Sequence, residues 1–387
     1  MAGRQLLAQL GQQDIILSGQ PEITFFKENY AAQGLYASRV IDVSFVNDPT
    51  FGSDVTTEIP LNGDLMTSMY LAFTFSTSPS SKFNPRASLL MINFVELYSG
   101  TELLERLWGE YIGLLNECQI PTGKQSALDP LIGQTTAFIP STYPYKFTVP
   151  LPFQTLRHGL PLVPDMYFRV SLNPVSSFLQ GPLTQSPQIN FYTEFVVLSE
   201  PEKNFSKNRG KTLYIGESVE LAEFRVTTQS ANVRCVTQFL HPVKELFFTI
   251  RNSSSIAPDY WLDYSNKTPQ LNSMAMYFEG IRRVDPLWAT SIYLGTTQFL
   301  DYHTRVPTAP FYMYSFSLDP ENPRPAGSVN LGRIKNQYFD FFLNTASSDR
   351  ILTLWSRHYT FLEIDGFKTI KNLFDGKGDD GYLVYLP

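Results

Sequence analysis

Four histidines, a group of glutamates and two cysteines are the residues of this 387-residue chain that could move a proton, attack an electrophile or hold a metal. His158, His241, His303 and His358 are scattered. None has a second histidine at a metal-binding spacing, and no Ser, Cys or Asp accompanies His158 in a way that would make it a base. Glu105, Glu110 and Glu117 lie in, and Glu102 just before, one apolar-periodic run, LLERLWGEYIGLLNE at 103–117, whose three-and-four spacing predicts a helix. No histidine partner follows Glu102 and Glu105, so these carboxylates are expected on the solvated helix face rather than around a metal. Cys118 and Cys235 are too few for a disulfide framework or a zinc site, which fits a reducing compartment. NRGK at 208–211 lacks the spacing and the Ser/Thr of a phosphate-binding loop, and no Gly-x-Ser-x-Gly elbow is present. The sequence therefore assigns no catalytic, cofactor-binding or metal residue, and no enzyme is expected.

Binding classes are narrowed by charge. The formal net charge is −6, and no cluster of five or more Lys/Arg occurs. Phosphate backbones are gripped by basic patches, so no direct nucleic-acid partner is expected. The densest basic stretch, Lys203 to Lys211, reads as a solvated linker. Trp261, Tyr264 and Trp288 could stack on sugars, which keeps a carbohydrate-binding protein as an alternative, although aromatics more often fill cores and interfaces. The first nineteen residues hold no apolar core of secretory-signal length, and no run approaches the roughly 20 apolar residues of a membrane helix. A soluble protein is expected, and the sequons at Asn204, Asn252 and Asn266 then read as chance matches.

The elements around these residues are mostly strands. The chain is 14% aromatic and only 17% charged, against about 25% charged in an ordinary soluble domain, and its 27 prolines suit many loops. Alternation predicts strands at 39–46, 55–61, 65–75, 146–153, 166–172 and 188–198. In the second half it predicts them at 233–241, 243–251, 274–278, 311–318, 329–334, 350–364 and 381–386. Two apolar runs at 14–27 flank a Ser-Gly-Gln-Pro turn, and Asn62-Gly63 reads as a tight turn. Helical patterning is confined to 103–117 and 287–300. No 20–50-residue repeat marks a propeller or solenoid. About eight strands per half, each half with one helical insertion, predict an all-β protein. Its architecture is two consecutive eight-stranded antiparallel jelly rolls with short helical insertions. The expected divisions are an arm at 1–20, a first jelly roll at 21–200, a linker at 201–212 and a second jelly roll at 213–387.

Several segments, in order, resemble the major capsid proteins of nucleocytoplasmic large DNA viruses. YSFSLDPENPRPAGSVNLGRI, from Tyr314 to Ile334, resembles the signature near the end of that family. Near the start, Gly11, Asp14, Gly19, Pro21, Ile23, Thr24, Phe25, Phe26, Lys27 and Tyr30 fall in step with its opening pattern. Asn62-Gly63-Asp64-Leu65, Trp108-Gly109-Glu110-Tyr111, Pro150 to Phe153 with Leu160 to Leu162, Pro242 to Leu246, Glu279 to Arg282 and Phe299 to His303 are similar to family segments in the same order. Residues 31–36, AAQGLY, depart from the family's Arg-Arg-His-Thr-Asn-Phe and lose two positive charges. The resemblance implies a structural capsid protein of the virion, assembled in the host cytoplasm. It further implies homotrimeric, pseudo-hexagonal capsomers tiling an icosahedral shell, with neighbouring capsomers, minor capsid proteins and an inner viral membrane as partners. A minor capsid paralogue of the same fold is the alternative that the altered 31–36 segment leaves open.

Overall fold

The computed structural model describes residues 34–77, 81–83, 87–133, 145–227, 231–252, 270–344 and 349–374. The expected strands at 14–27 and 381–386 lie outside these residues.

The first half runs β1 (Tyr36–Val43), β2 (Asp54–Glu58), β3 (Leu65–Phe75), β4 (Lys82–Phe83), helix α1 (Ala87–Met91), β5 (Ile92–Ser99) and β6 (Glu102–Trp108). Helices α2 (Gly109–Gln119) and α3 (Thr122–Ile132) precede β7 (Tyr145–Leu151), β8 (Leu160–Pro161), β9 (Met166–Leu172), β10 (Leu179–Gln180) and β11 (Gln188–Leu198). Helix α4 (Glu200–Asn208) leads to the second half. There follow β12 (Lys211–Val226), β13 (Asn232–Thr237), β14 (Pro242–Asn252), β15 (Leu271–Phe278) and β16 (Ile281–Val284). A π-helical turn (Tyr293–Thr297) then runs into α5 (Gln298–Tyr302). The last strands are β17 (Tyr312–Ser315), β18 (Val329–Asn330), β19 (Gln337–Leu343), β20 (Arg350–Asp365) and β21 (Thr369–Asn372).

Pairing gives both halves one topology. The main paths are β1-β11-β3-β7 facing β2-β9-β5-β6, then β12-β20-β14-β17 facing β13-β19-β15-β16. Counting only these eight strands in each half, the order is 1-8-3-6 and 2-7-4-5 both times. Strand 1 pairs with 8, and 2 with 7, while 3 with 6 and 4 with 5 complete a long antiparallel hairpin rolled into two sheets. The protein is a double jelly roll. In each half the helical insertion sits between the fifth and sixth strands.

Alternation seats the core. On β3, Met69, Leu71, Phe73 and Phe75 point inward, and on β9 Met166, Phe168 and Val170 do so from the opposite sheet. Phe168 stacks on Phe191 of β11 with ring centroids 4.2 Å apart, closing the first sandwich. In the second, Phe248 of β14 meets Phe341 of β19 edge-on at 5.3 Å. Strand β20 departs from simple alternation because both its faces are covered. Leu352 and Leu354 enter the second core, whereas Trp355 joins a cluster continuous with the first.

Four sequence expectations change. The predicted helix at 103–117 is a strand to Trp108 and a helix only from Gly109. Leu103, Leu104 and Leu107 carry the helical three-and-four spacing, but pairing of β6 with β5, Trp108 opposite Phe94 and Leu107 opposite Val95, selects a strand whose register shifts at Leu104. Gly109 marks the switch because an added Cβ would collide with the carbonyl oxygens of Leu89 and Ile92. The basic stretch at 203–211, expected to be solvated, is mostly exposed as expected but folds largely as α4. There Lys203 pairs with Asp64 at 2.5 Å, and just beyond it Lys211 pairs with Glu363 at 2.7 Å. Asn62-Gly63 is no hairpin turn, since β2 and β3 lie in different sheets. Gly63 is needed for close approach, with its missing Cβ 3.0 Å from the Val196 carbonyl oxygen. The signature strand is shorter than expected, and Leu318, within the expected span, is 83% exposed.

One turn holds a non-glycine residue in the left-handed region. Glu279 and Gly280 both take positive φ, 50° and 76°, in the tight turn joining β15 and β16. Glu279 compensates its unusual backbone by accepting hydrogen bonds from the Lys335 and Asn336 amides at 2.6 and 3.3 Å.

Candidate functional site: the seam between the two jelly rolls

Strand β14 has two faces. Leu246, Phe248 and Ile250 fill the second core, so Glu245 and Phe247 point the other way, toward the first jelly roll. The outer face of the β12-β20-β14-β17 sheet is therefore an internal seam, and it carries charge. Lys244, Glu245 and Arg357 are at most 1% exposed. Arg357 donates from Nε to Glu217 Oε2 at 2.7 Å and from Nη1 to Glu245 Oε1 at 2.5 Å. Lys244 Nζ reaches Glu217 and the Pro320 carbonyl oxygen, both at 2.5 Å. The His303 Nε2 lies 3.0 Å from Glu245 Oε2, and its Nδ1 lies 2.9 Å from Glu321 Oε1.

Burial acts on every member. It would raise the Glu245 carboxyl, but Arg357 and His303 outweigh it and hold the pKa near 2. Burial opposes a charged His303 too, yet Cys118 and Glu245 beside it raise its pKa well above the ordinary range. For Lys244, burial and the neighbouring Arg357 prevail, lowering it to about 8. These ions are tolerated inside because each is hydrogen-bonded to an opposite charge.

The proline-rich signature loop closes this network. Besides His303, Glu321 accepts from the Thr304 amide and hydroxyl at 2.9 and 2.6 Å. Its own carbonyl accepts from Arg157 of the first half at 3.0 Å. The signature thus ties the second jelly roll to itself and to its partner.

Two of the four glutamates expected on a solvated face are instead buried at this seam. Glu105, 1% exposed, accepts from the amides of Gln154 and Thr155 at 3.0 Å, and burial pushes its pKa up to about 8. Glu117, also 1% exposed, accepts from Arg305 at 3.3 Å and from the Thr308 hydroxyl at 3.0 Å. Glu110 is half-buried, 3.4 Å from the Thr249 hydroxyl across the seam. The spacing hid this because a helix or strand face looks solvated until a second domain covers it. Aromatics complete the contact, Tyr111 lying 6.3 Å from Trp355 and 6.2 Å from Phe247.

The remaining candidates do not converge on chemistry. His158 is exposed in a turn, while His241 and His358 stack at 4.4 Å, a pairing the sequence did not suggest. Among the described residues no group of three or more His, Cys, Asp or Glu could hold a metal. Both cysteines are buried and free. Trp288 is half-exposed and packs edge-on against Tyr293, whereas Trp261 and Tyr264 lie outside the described residues. No helix among the described residues is long and apolar enough to cross a membrane.

Comparison with known proteins agrees with the doubled barrel. Residues 24–177 match the family model of the major capsid protein N-terminus, and residues 203–363 match that of the large eukaryotic DNA virus major capsid protein. The chain belongs to the major capsid protein family of large eukaryotic DNA viruses. It is 26% identical to the major capsid protein of Pyramimonas orientalis virus over 94% of this chain and 96% of that one. It is 23% identical to that of Paramecium bursaria Chlorella virus 1 over 90% and 88%. In fold it is similar to a chain of the PBCV-1 virus capsid, with TM-score 0.78, 19% identity and coverage of 91% and 100%. The Faustovirus major capsid protein superposes with TM-score 0.75 at 12% identity, covering 92% and 94%. These relatives are structural proteins, not enzymes, and membership makes this chain a capsid component of the virion.

Proposed function

We propose that this protein forms homotrimeric capsomers of pseudo-hexagonal outline, which tile the icosahedral shell of a large DNA virus. The observation that carries this reading is the repeated 1-8-3-6 and 2-7-4-5 topology in one chain, locked by a buried ionic seam. Three copies of such a rigid pair present six similar barrels around one axis, so a threefold assembly can fill a near-hexagonal cell. Neighbouring capsomers supply the lateral contacts, and minor capsid proteins and an inner membrane lie beneath, with assembly in the host cytoplasm. The division into an arm at 1–20, barrels at 21–200 and 213–387 and a connection at 201–212 belongs to the same reading. In it the arm contacts proteins below the shell.

Light scattering on the purified protein across a dilution series tests the core of this. A species of three chain masses that persists on dilution is the expected result, and a monomer at all concentrations overturns it. Removing residues 1–20 should leave that trimer intact while impairing shell assembly. Normal particles from the truncated protein refute the role given to the arm.

A further inference from the structure

A cleft of about 800 Å³ opens where the two jelly rolls meet. It is walled by Phe94 and Trp108 of the first and by β12 and Leu240 of the second. Five consecutive residues of β12, Ser218 to Ala222, line it. Alternate residues of a strand face opposite ways, so a consecutive run means the strand is presented edge-on. Strands β12 and β6 are both at the ends of their sheet paths, and such edges accept an added strand. Leu221 and Leu240, at 38% and 36% exposure, leave apolar surface open in the cleft.

The chain itself leads into this space. Asn372 and Phe374 line the cleft, and the Phe374 ring meets Phe361 edge-on at 5.6 Å. Residues 375–381, DGKGDDG, follow, and then Tyr382-Leu383-Val384-Tyr385-Leu386. The first seven are glycine-rich and span at most roughly 25 Å, enough to reverse direction within the cleft. The next five are aromatic and aliphatic throughout, matching a short strand of about 17 Å.

We propose that Tyr382–Leu386 docks into this cleft in its own chain, adding a strand at the seam and covering its exposed apolar residues. Tethering by so short a connection favours the chain's own segment over a second copy, because it sets a local concentration in the millimolar range.

Paired cysteines in the full-length protein test this. Leu221→Cys is combined with Leu383→Cys or with Val384→Cys, so that one of the two tail positions faces the cleft. Leu383→Cys with Leu287→Cys, exposed in the turn that follows β16, controls for random collision. Under mild oxidation the expected product is an intramolecular disulfide, seen as a cross-linked peptide from chains that still run as monomers on a denaturing gel. Cross-linking no greater than the control, or cross-linked dimers alone, overturns the proposal, and dimers would place the segment in another copy. Amide exchange guards against a misfolded variant. Ending the chain after Asp375 should speed exchange at Ser218 to Ala222 by tenfold or more, and unchanged exchange refutes docking.

Discussion

Arg305 of the second jelly roll holds Glu117 of the first through both main chain and side chain. Its Nε donates to the Glu117 carbonyl at 2.5 Å and its Nη2 to the Glu117 carboxylate at 3.3 Å. The same guanidinium reaches Asn116 and Gln125, so one residue fixes the end of α2 and the start of α3. Arg305→Ala should therefore destabilise the protein by about 2–3 kcal/mol, the range for hydrogen bonds to charged groups. Denaturant unfolding checks this, and a loss under about 0.5 kcal/mol would show that the joint does not depend on it.

Arg357 is the more severe case. Arg357→Met removes the cation shared by Glu217 and Glu245, and breaking such a buried pair costs about 3–5 kcal/mol. Arg234 makes an equally well-formed pair with Asp340, at 2.7 Å, but on the surface. Arg234→Ala should cost no more than about 1 kcal/mol. Comparable losses in the two variants, measured by the same denaturant titration, would contradict the assignment of the seam as buried.

Acid should loosen the seam through Glu245. Its folded-state pKa of about 2 lies below the ordinary 4.5, so its stabilisation is complete above about pH 4.5 and is lost as pH falls toward 2. Glu245→Gln should be less stable than the parent at pH 6, with the difference shrinking between pH 4.5 and 2. A constant difference across that range argues against a charged Glu245.

Glu105 runs the other way. Its pKa is raised to about 8, so the stability linked to its proton is complete below about pH 4.5 and is lost as pH rises through 8. Glu105→Gln should gain on the parent steadily from pH 5 to pH 8. Parallel stability curves for the two proteins would refute this.

Gly109→Ala tests the strand-to-helix switch. The added methyl meets two backbone oxygens that cannot move without shifting α1 or β5, and overpacking of this kind costs about 1–3 kcal/mol. Gly123→Ala, on α3 with open space around it, should be neutral or slightly stabilising. Melting temperatures of the pair distinguish the two sites.

By itself the sequence determined most of the described strands and the class of fold. Period-two alternation is a local property, and segments such as 65–75, 166–172 and 188–198 carry it over most of their length. Only the tertiary structure decided what the polar residues do. Glu105, Glu117 and Lys244 look like surface charges in sequence because their partners are distant in the chain: Gln154 and Thr155 for Glu105, Arg305 and Thr308 of the other jelly roll for Glu117, Glu217 and Pro320 for Lys244. Residues 103–108 show helix spacing, and β5 lying alongside overrode it by pairing them as a strand with a register shift. The Pro-Glu of the signature loop reads as a turn and nothing more, yet its Glu321 carboxylate and Pro320 carbonyl close a buried network drawn from four other segments. Short-range pattern fixes which way a side chain can point, and only the packing of one sheet on another determines whether it finds water or a partner there.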